Sequence, residues 1–328
     1  MRIVITGGAG FIGNKLVRAL LQRGTLTDRS GTIRPIDQLV LFDVVAVEGL
    51  THDPRLEVRT GDITDRRQLE ELIGPGTDGV FHLAAVVSAN AEEDFDLGMA
   101  VNLDGTRHLL EACRALAKPP RFVFASSCAV YGGEMPALLS DQTILTPQTS
   151  YGAQKAAGEL LVSDYTRKGF IDGRALRLPT ILVRPGRPNR AASTFASSIL
   201  REPLAGQDAV CPVGRDVEMY VLSPRRVIEA LQHAYELPEA TLGPVRALTL
   251  PGITVSVGEM LAALERVAGE AVAARVHFEG DPTIQHIVAG WPTHFQAERA
   301  LALGFQPDND IDEIIRAHIE DELAGHVH

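Results

Sequence analysis

From residue 3 to residue 178 the chain alternates short apolar runs with amphipathic runs of helical period, an order that few folds can accommodate. Ile3 to Ile5, Leu39 to Phe42, Leu56 to Arg59, Val80 to Leu83, Phe122 to Ala125 and Arg174 to Leu178 read as strands. Between them, helices are expected up to Arg23, from Asp65 to Ile73, from Val101 to Leu116 and from Tyr151 to Lys168. Strands that alternate with helices lie parallel, with helices on both faces of the sheet. The expected fold class is α/β, a doubly wound parallel sheet with a smaller mixed α/β C-terminal lobe. Ligands of such sheets sit beyond the carboxyl ends of the strands.

After Leu178 the character changes. Pro179, Pro185, Pro188, Pro203 and Pro212 fall among small and polar residues and read as an irregular lobe, and helical patterns return at Pro224 to Tyr235, Val257 to Val267 and Asp310 to Leu323. The expected division is a Rossmann-type dinucleotide-binding domain, residues 1–178 plus roughly 217–238, and a substrate-binding lobe, residues 179–216 plus 239–328. The polar segment from Gly24 to Asp37 reads as a surface loop.

The opening "MRIVITGGAGFIG" places Gly7, Gly10 and Gly13 between the first strand and the first helix. Such a turn lets backbone approach a bulky anion, and the positive end of the helix, with the amides of Phe11, Ile12 and Gly13, attracts a diphosphate. The spacing matches the G-x-G-x-x-G fingerprint only loosely, so a plain structural turn stands beside dinucleotide binding. Asp43 ends the strand "LVLFD", where it would accept from both hydroxyls of an adenosine ribose and repel a 2′-phosphate, favouring NAD over NADP. Its distance from the glycines exceeds the usual ~20 residues, so this reading rests on strand position, with a solvated turn aspartate as the alternative. Asp62, with Ile63, follows the next strand at the same edge and could meet adenine, although Asp62 and Thr64 could equally cap the helix at Asp65.

In "SYGAQKAAGE", Tyr151 and Lys155 are four apart and share one face of a helix. A phenol with a pKa near about 10 is a poor base at neutral pH. An ammonium about 5 Å away, at an effective dielectric of about 20, is worth roughly 3 kcal/mol, about two pKa units of depression. Tyr151 could then take a proton from a substrate alcohol while hydride leaves the same carbon. Upstream, "FVFASSCAVYG" places Ser126 and Ser127 at the carboxyl end of a strand, where a hydroxyl could hydrogen-bond the reacting oxygen.

Composition narrows the partners. The chain has 328 residues, 45% hydrophobic and 22% charged, with a formal net charge of −11, and an acidic surface repels nucleic acid and anionic membrane. Cys113, Cys128 and Cys211 are widely separated and form no C-x-x-C pair, and His82, His286 and His294 lack metal-ligand spacing, so neither disulfides nor a metal is expected. No leader and no apolar run near the ~18 residues of a membrane span is read, which points to the cytoplasm.

Taken together, "TGGAGFIG", "HLAAVVS", "VNLDGT", "SSCAVYG" and "YGAQK" resemble the extended short-chain dehydrogenase/reductase family, whose members include nucleotide-sugar epimerases and dehydratases. These motifs span residues 6–155. The resemblance implies a Ser, Tyr and Lys catalytic set, here Ser127, Tyr151 and Lys155; Ser127 stands three residues before Val130 of "VYG", as the family serine does. It also implies contacts to NAD from Leu83, Ala84 and Ala85 and a role for Asn102, with Ser126, Pro179 and Thr180 as further cofactor candidates. Family members usually pair through the two helices matching Val101 to Leu116 and Tyr151 to Lys168, so a homodimer is implied as well.

Sugar-nucleotide members carry an arginine just ahead of a strand resembling "YIHV". Here the matching strand is "YVLSP", Arg215 lies five residues before Tyr220, and Glu218 between them would repel a diphosphate. The stretches "AEEDFDLGMAVNLDGTRHLLEACR", "LRLPTILVRPGRPN", "LPGITVSVGEMLAALERVAG" and "VAGWPTHFQAERALALGF" instead resemble a branch that oxidises the C2 hydroxyl of a four-carbon sugar acid, D-erythronate, to a 2-oxo acid with NAD. Such a substrate needs a cation and small polar groups. Ser88, Ser127 and Thr180 supply hydroxyls, and Arg184, Arg187, Asn189, Arg190 and Arg215 supply amide and cationic partners, each arginine being open to plain surface solvation. Trp291 could close the pocket or simply pack. A nucleotide-sugar epimerase or dehydratase of the same family is the alternative, and a redox-sensing module without turnover would have little use for the helix-aligned Tyr and Lys.

Overall fold

The computed structural model describes residues 1–46, 52–186 and 192–327. The chain forms two compact units, one of Met1–Val130, Thr149–Arg177 and Ile228–Thr249, the other of Tyr131–Gln148, Leu178–Val227 and Leu250–His328. These boundaries differ from the expected ones in two places. Residues 131–148 belong to the second unit, and the segment that returns to the first is 228–249 rather than 217–238.

The first unit is built on a seven-stranded parallel sheet of β1 (Arg2–Thr6), β2 (Gln38–Asp43), β3 (Leu56–Thr60), β4 (Thr77–His82), β5 (Arg121–Ser127), β6 (Asp172–Leu178) and β7 (Ala247–Thr249), in spatial order β7-β6-β5-β4-β1-β2-β3. Ile5 of β1 pairs with Leu41 on one side and Phe81 on the other. Strand order reverses across the β1 and β4 pair, which creates the crevice where ligands of doubly wound sheets bind. Both faces are covered, so the central strands are apolar without alternation: Ile3, Val4, Ile5, Leu39, Val40 and Leu41 are all fully buried.

Local chemistry sets the helices. In α1 (Phe11–Arg23), Ile12, Leu16, Val17, Leu20 and Leu21 form the buried face, and Gly24 ends it in the left-handed region at φ 69°, its amide donating to Leu20. Asp65 caps α2 (Arg66–Leu72), accepting from the Arg67 and Gln68 amides. The expected helix from Val101 is instead a π-helical segment, Met99–Asp104, that runs into α3 (Gly105–Arg114). Thr149 starts α4 (Ser150–Arg167) by accepting from the Gly152 amide.

Two expectations in irregular sequence are corrected. The segment from Gly24 to Asp37 contains a hairpin, Thr25–Thr27 against Ile33–Pro35, closed where Asp28 accepts the Ser30 amide at 2.8 Å and Gly31 takes a φ of 82°. The proline-rich stretch after Leu178 contains the helix Thr194–Leu204, which buries Phe195, Ala196, Ile199, Leu200 and Leu204; Pro203 in its last turn disguised the period. The second unit also holds a three-stranded sheet in which Thr180–Ile181 pairs parallel, and Ile253–Ser256 antiparallel, with Glu218–Leu222. Trp291 packs, half-buried, against the core of this unit. Among the described residues no helix is long and apolar enough to cross a membrane.

At the amino ends of β5 and β6, Asp172 is fully buried and accepts from Arg174 at 2.5 Å and Arg121 at 3.3 Å. Arg174 also donates to the Ala234 and Tyr235 carbonyls, satisfying the end of the helix Pro224–Glu236. Removing the one carboxylate strands buried cations. Asp172→Ala is expected to cost roughly 3–5 kcal/mol in urea unfolding, whereas Asp164→Ala, which breaks an exposed pair with Arg167, should cost less than about 1 kcal/mol.

Candidate active site

The glycine turn is held tight by contacts that exclude side chains. Gly7 has φ 72°, and a Cβ there would lie 2.5 Å from the Ala84 amide nitrogen and 2.7 Å from the Leu83 carbonyl carbon. A Cβ on Gly13 would lie 2.4 Å from the Gly7 carbonyl oxygen, so α1 starts directly against the turn. Gly10 is less constrained, its nearest neighbour on that test being the Gly7 oxygen at 3.3 Å, and as N-cap of α1 it offers no capping side chain. Phe11 and Ile12 open the helix behind it, with Ile12 buried.

Around this turn the strand ends converge. The Leu83 amide donates to the Thr6 carbonyl at 3.0 Å, extending the ladder between β1 and β4 past the last strand residue, and Ala84 abuts Gly7. The Asp43 carboxylate accepts the Ala9 amide at 2.9 Å and the Val45 amide at 3.3 Å, which ties the end of β2 to the glycine turn. Asp62 accepts the Thr64 amide at 2.8 Å. The capping role that sequence left open for Asp62 and Thr64 falls to Asp65, and the Ile63 side chain is buried beside Gly105.

His82 closes β4 between Thr6 at 2.7 Å and Thr106 at 2.8 Å. Full burial, and secondarily the charge of Lys155, pushes its pKa down to about 3, so it is a neutral link between strand and helix. Asn102, on the π-helical segment, accepts the Val86 amide at 2.9 Å and donates to Gln154 Oε1 at 2.8 Å, so it braces the chain just past Ala85 against α4.

Tyr151 and Lys155 lie one turn apart on α4, with Lys155 Nζ 5.6 Å from the centroid of the Tyr151 ring and 4.7 Å from that of Phe124. Nζ donates to the Ala125 carbonyl at 2.9 Å. Only 2% of Lys155 is exposed, and loss of hydration lowers its pKa to about 7, with Glu159 pulling the other way. The two serines at the end of β5 point to opposite sides, as successive strand residues must. Ser126 is buried and donates to Glu159 Oε1 at 2.5 Å. Ser127 is half-buried, and its Oγ accepts the Ala129 amide at 3.1 Å, leaving its proton for another acceptor.

Two residues outside the sequence reading belong to this cluster. Glu159 takes a forked pair from Arg177, with Nε at 3.0 Å and Nη2 at 2.7 Å. Glu159 follows Lys155 at the same four-residue interval that joins Tyr151 to Lys155, and Arg177 is a charge next to the last residue of a strand that reads as buried; both signals were present in the sequence. Ser88 begins the short helix Ser88–Glu93 in the same unit.

The remaining candidates lie in the second unit. Pro179 is buried and Thr180 starts a strand of its small sheet. The Arg184 amide donates to Ser197 Oγ at 3.0 Å and its guanidinium to Ser193 Oγ at 3.4 Å. Arg215 is exposed, its guanidinium 5.0 Å over the Phe278 ring, and Glu218 at the strand start faces His294 at 3.2 Å. Arg187, Asn189 and Arg190 lie outside the described residues.

The family model for the NAD dependent epimerase/dehydratase family matches residues 3–231. Two curated relatives are both called D-erythronate dehydrogenase. The one from Cupriavidus necator is 56% identical over 98% of each chain, and the one from Haemophilus influenzae is 45% identical over 98% of this chain and all of its own. A solved structure described as the nucleoside-diphosphate-sugar epimerase from Agrobacterium tumefaciens superposes with a TM-score of 0.94 at 43% identity, covering 100% of this chain and 96% of that one. With its glycine turn, its parallel sheet and its paired Tyr and Lys at the sheet's carboxyl edge, the chain belongs to the NAD dependent epimerase/dehydratase family.

Proposed function

We propose that this protein oxidises the C2 hydroxyl of D-erythronate, or of a close four-carbon aldonate, to the 2-oxo acid with NAD. The observation that carries the chemistry is the buried Lys155 ammonium facing the Tyr151 ring at 5.6 Å. The substrate class rests on full-length similarity to two proteins called D-erythronate dehydrogenase.

The residues present suit a dinucleotide. Gly7 and Gly13 leave a cradle that a Cβ would fill, α1 begins without a capping side chain, and Asp43 sits where a ribose is expected. When bound, NAD supplies the acceptor for the hydride that leaves C2. Lys155 stabilises the phenolate of Tyr151, Tyr151 takes the hydroxyl proton as the carbonyl forms, and Ser127 donates its free proton to the reacting oxygen. Ser88, Thr180, Arg184, Asn189 and Arg215 are the proposed polar partners of the acid, the arginines answering its carboxylate. The Asp43 carboxylate disfavours a 2′-phosphate, which supports NAD over NADP.

A second reading has support of its own. The Agrobacterium protein, described as a nucleoside-diphosphate-sugar epimerase, shares 43% identity with this chain. The same Tyr151 and Lys155 pair would serve that reaction, but Glu218 beside Arg215 opposes a diphosphate.

Incubating the protein with NAD or NADP and a panel of sugar acids is expected to give net reduction of NAD with a four-carbon aldonate and little with NADP. Tight NAD with no net reduction by any acid would favour the epimerase reading. Tyr151→Phe should lower kcat by about 10²–10⁴-fold with NAD affinity retained, as titration calorimetry would record. Gly13→Val should do the reverse of that split and abolish NAD binding, because its side chain has no room against the Gly7 carbonyl.

A further inference from the structure

Lys155 needs a counter-charge. It is buried among neutral groups, the Ala125 carbonyl and the faces of Phe124 and Tyr151, and an ammonium so placed tends to shed its proton. The carboxylate one turn further along α4, on the same side of the helix, is Glu159, 3% exposed. That carboxylate accepts from both sides, from Ser126 Oγ at 2.5 Å and from Arg177 at 3.0, 3.1 and 2.7 Å.

We propose that Glu159 is a positioning residue for the reaction: it keeps Lys155 an ammonium, and Arg177 and Ser126 hold its carboxylate for that task. This rests on the reading of Tyr151 as the base.

The charge count gives the reason. Arg177 pairs with Glu159 and Lys155 lies one helical turn from it, so removing that carboxylate leaves two buried cations with one anion fewer. The other groups nearby do not replace it. His82 at the end of β4 is neutral, and the Cys128 thiol just past β5 is pushed up to about 12 by burial and stays protonated. On the remaining elements packed against α4, Glu92 takes the Ser150 amide, Asp104 pairs with Arg107, and Glu111 binds Arg114 and Tyr165. Stability alone is a weak reason for such an arrangement, since apolar residues of similar volume often replace a buried ion pair without loss. Ser126 adds a second consequence. Its bond to Glu159 pins the end of β5 and so leaves Ser127 on the opposite side of the strand.

The test reads the phenol directly. Ultraviolet pH titration of phenolate absorbance, with Tyr151→Phe as the blank for the remaining tyrosines, gives the apparent Tyr151 midpoint without any substrate. In Glu159→Gln the midpoint is expected to rise by about one pH unit or more, and the acid limb of kcat should rise with it, each unit being a tenfold smaller phenolate fraction at fixed pH. If Glu159→Gln does not fold, the double variant Glu159→Gln/Arg177→Met, which leaves no unpaired buried cation at 177, decides the matter with the same expectation. A folded variant, judged by near-ultraviolet circular dichroism, whose Tyr151 midpoint stays at the wild-type value would overturn the proposal. A merely structural Glu159 would lower the unfolding temperature and leave that midpoint in place. A displaced midpoint in a protein that oxidises no four-carbon acid would overturn the substrate assignment and leave the role of Glu159 standing.

Discussion

An ammonium taken out of water beside a phenol is the demand around which the first unit is arranged. Lys155 gives up hydration for one carbonyl and two aromatic faces, which lowers its pKa. The framework supplies what the ammonium lacks. α4 presents Tyr151 and Glu159 one turn to either side of it, β5 brings Ala125 and Ser126 beneath it, and β6 contributes Arg177 to hold the carboxylate. A change in any of these elements alters the surroundings of one nitrogen beside the Tyr151 ring.

The second demand is close backbone approach. The turn after β1 admits no Cβ at Gly7 or Gly13, because the Leu83–Ala84 backbone on one side and the turn's own carbonyl on the other occupy that space. Asp43 contributes by holding the Ala9 amide, so the carboxylate at the end of β2 also fixes the glycine loop. Asn102 does comparable work further along. Its amide joins the Val86 segment to Gln154, the neighbour of Lys155 in sequence, so the chain just past β4 is bonded to α4.

Much of this was legible because it is local. The sheet, the glycine turn, Asp43 at a strand end and the four-residue interval between Tyr151 and Lys155 all follow from periodicity or from contacts within a turn or two of chain. Where sequence reading failed, local signals were mixed. Pro203 hid the helix Thr194–Leu204, the polar run around Asp28 hid the hairpin from Thr25 to Pro35, and three capping types within four residues, Asp62, Thr64 and Asp65, left open which one starts α2. The π-helical segment at Met99–Asp104 has the period of neither ordinary helix nor strand, so nothing in the pattern marked it.

By itself, the sequence determined the fold class, the glycine turn after the first strand and the four-residue interval of Tyr151 and Lys155 on one helix, since each is set by residue spacing along a regular element. The tertiary structure alone decided which serine is buried and which is available, that Asn102 meets Gln154 across 52 residues, and that Glu159 meets Arg177 across 18. Those partners come from separate strands and helices. Their distances depend on how the elements pack, and spacing within one element holds no record of that.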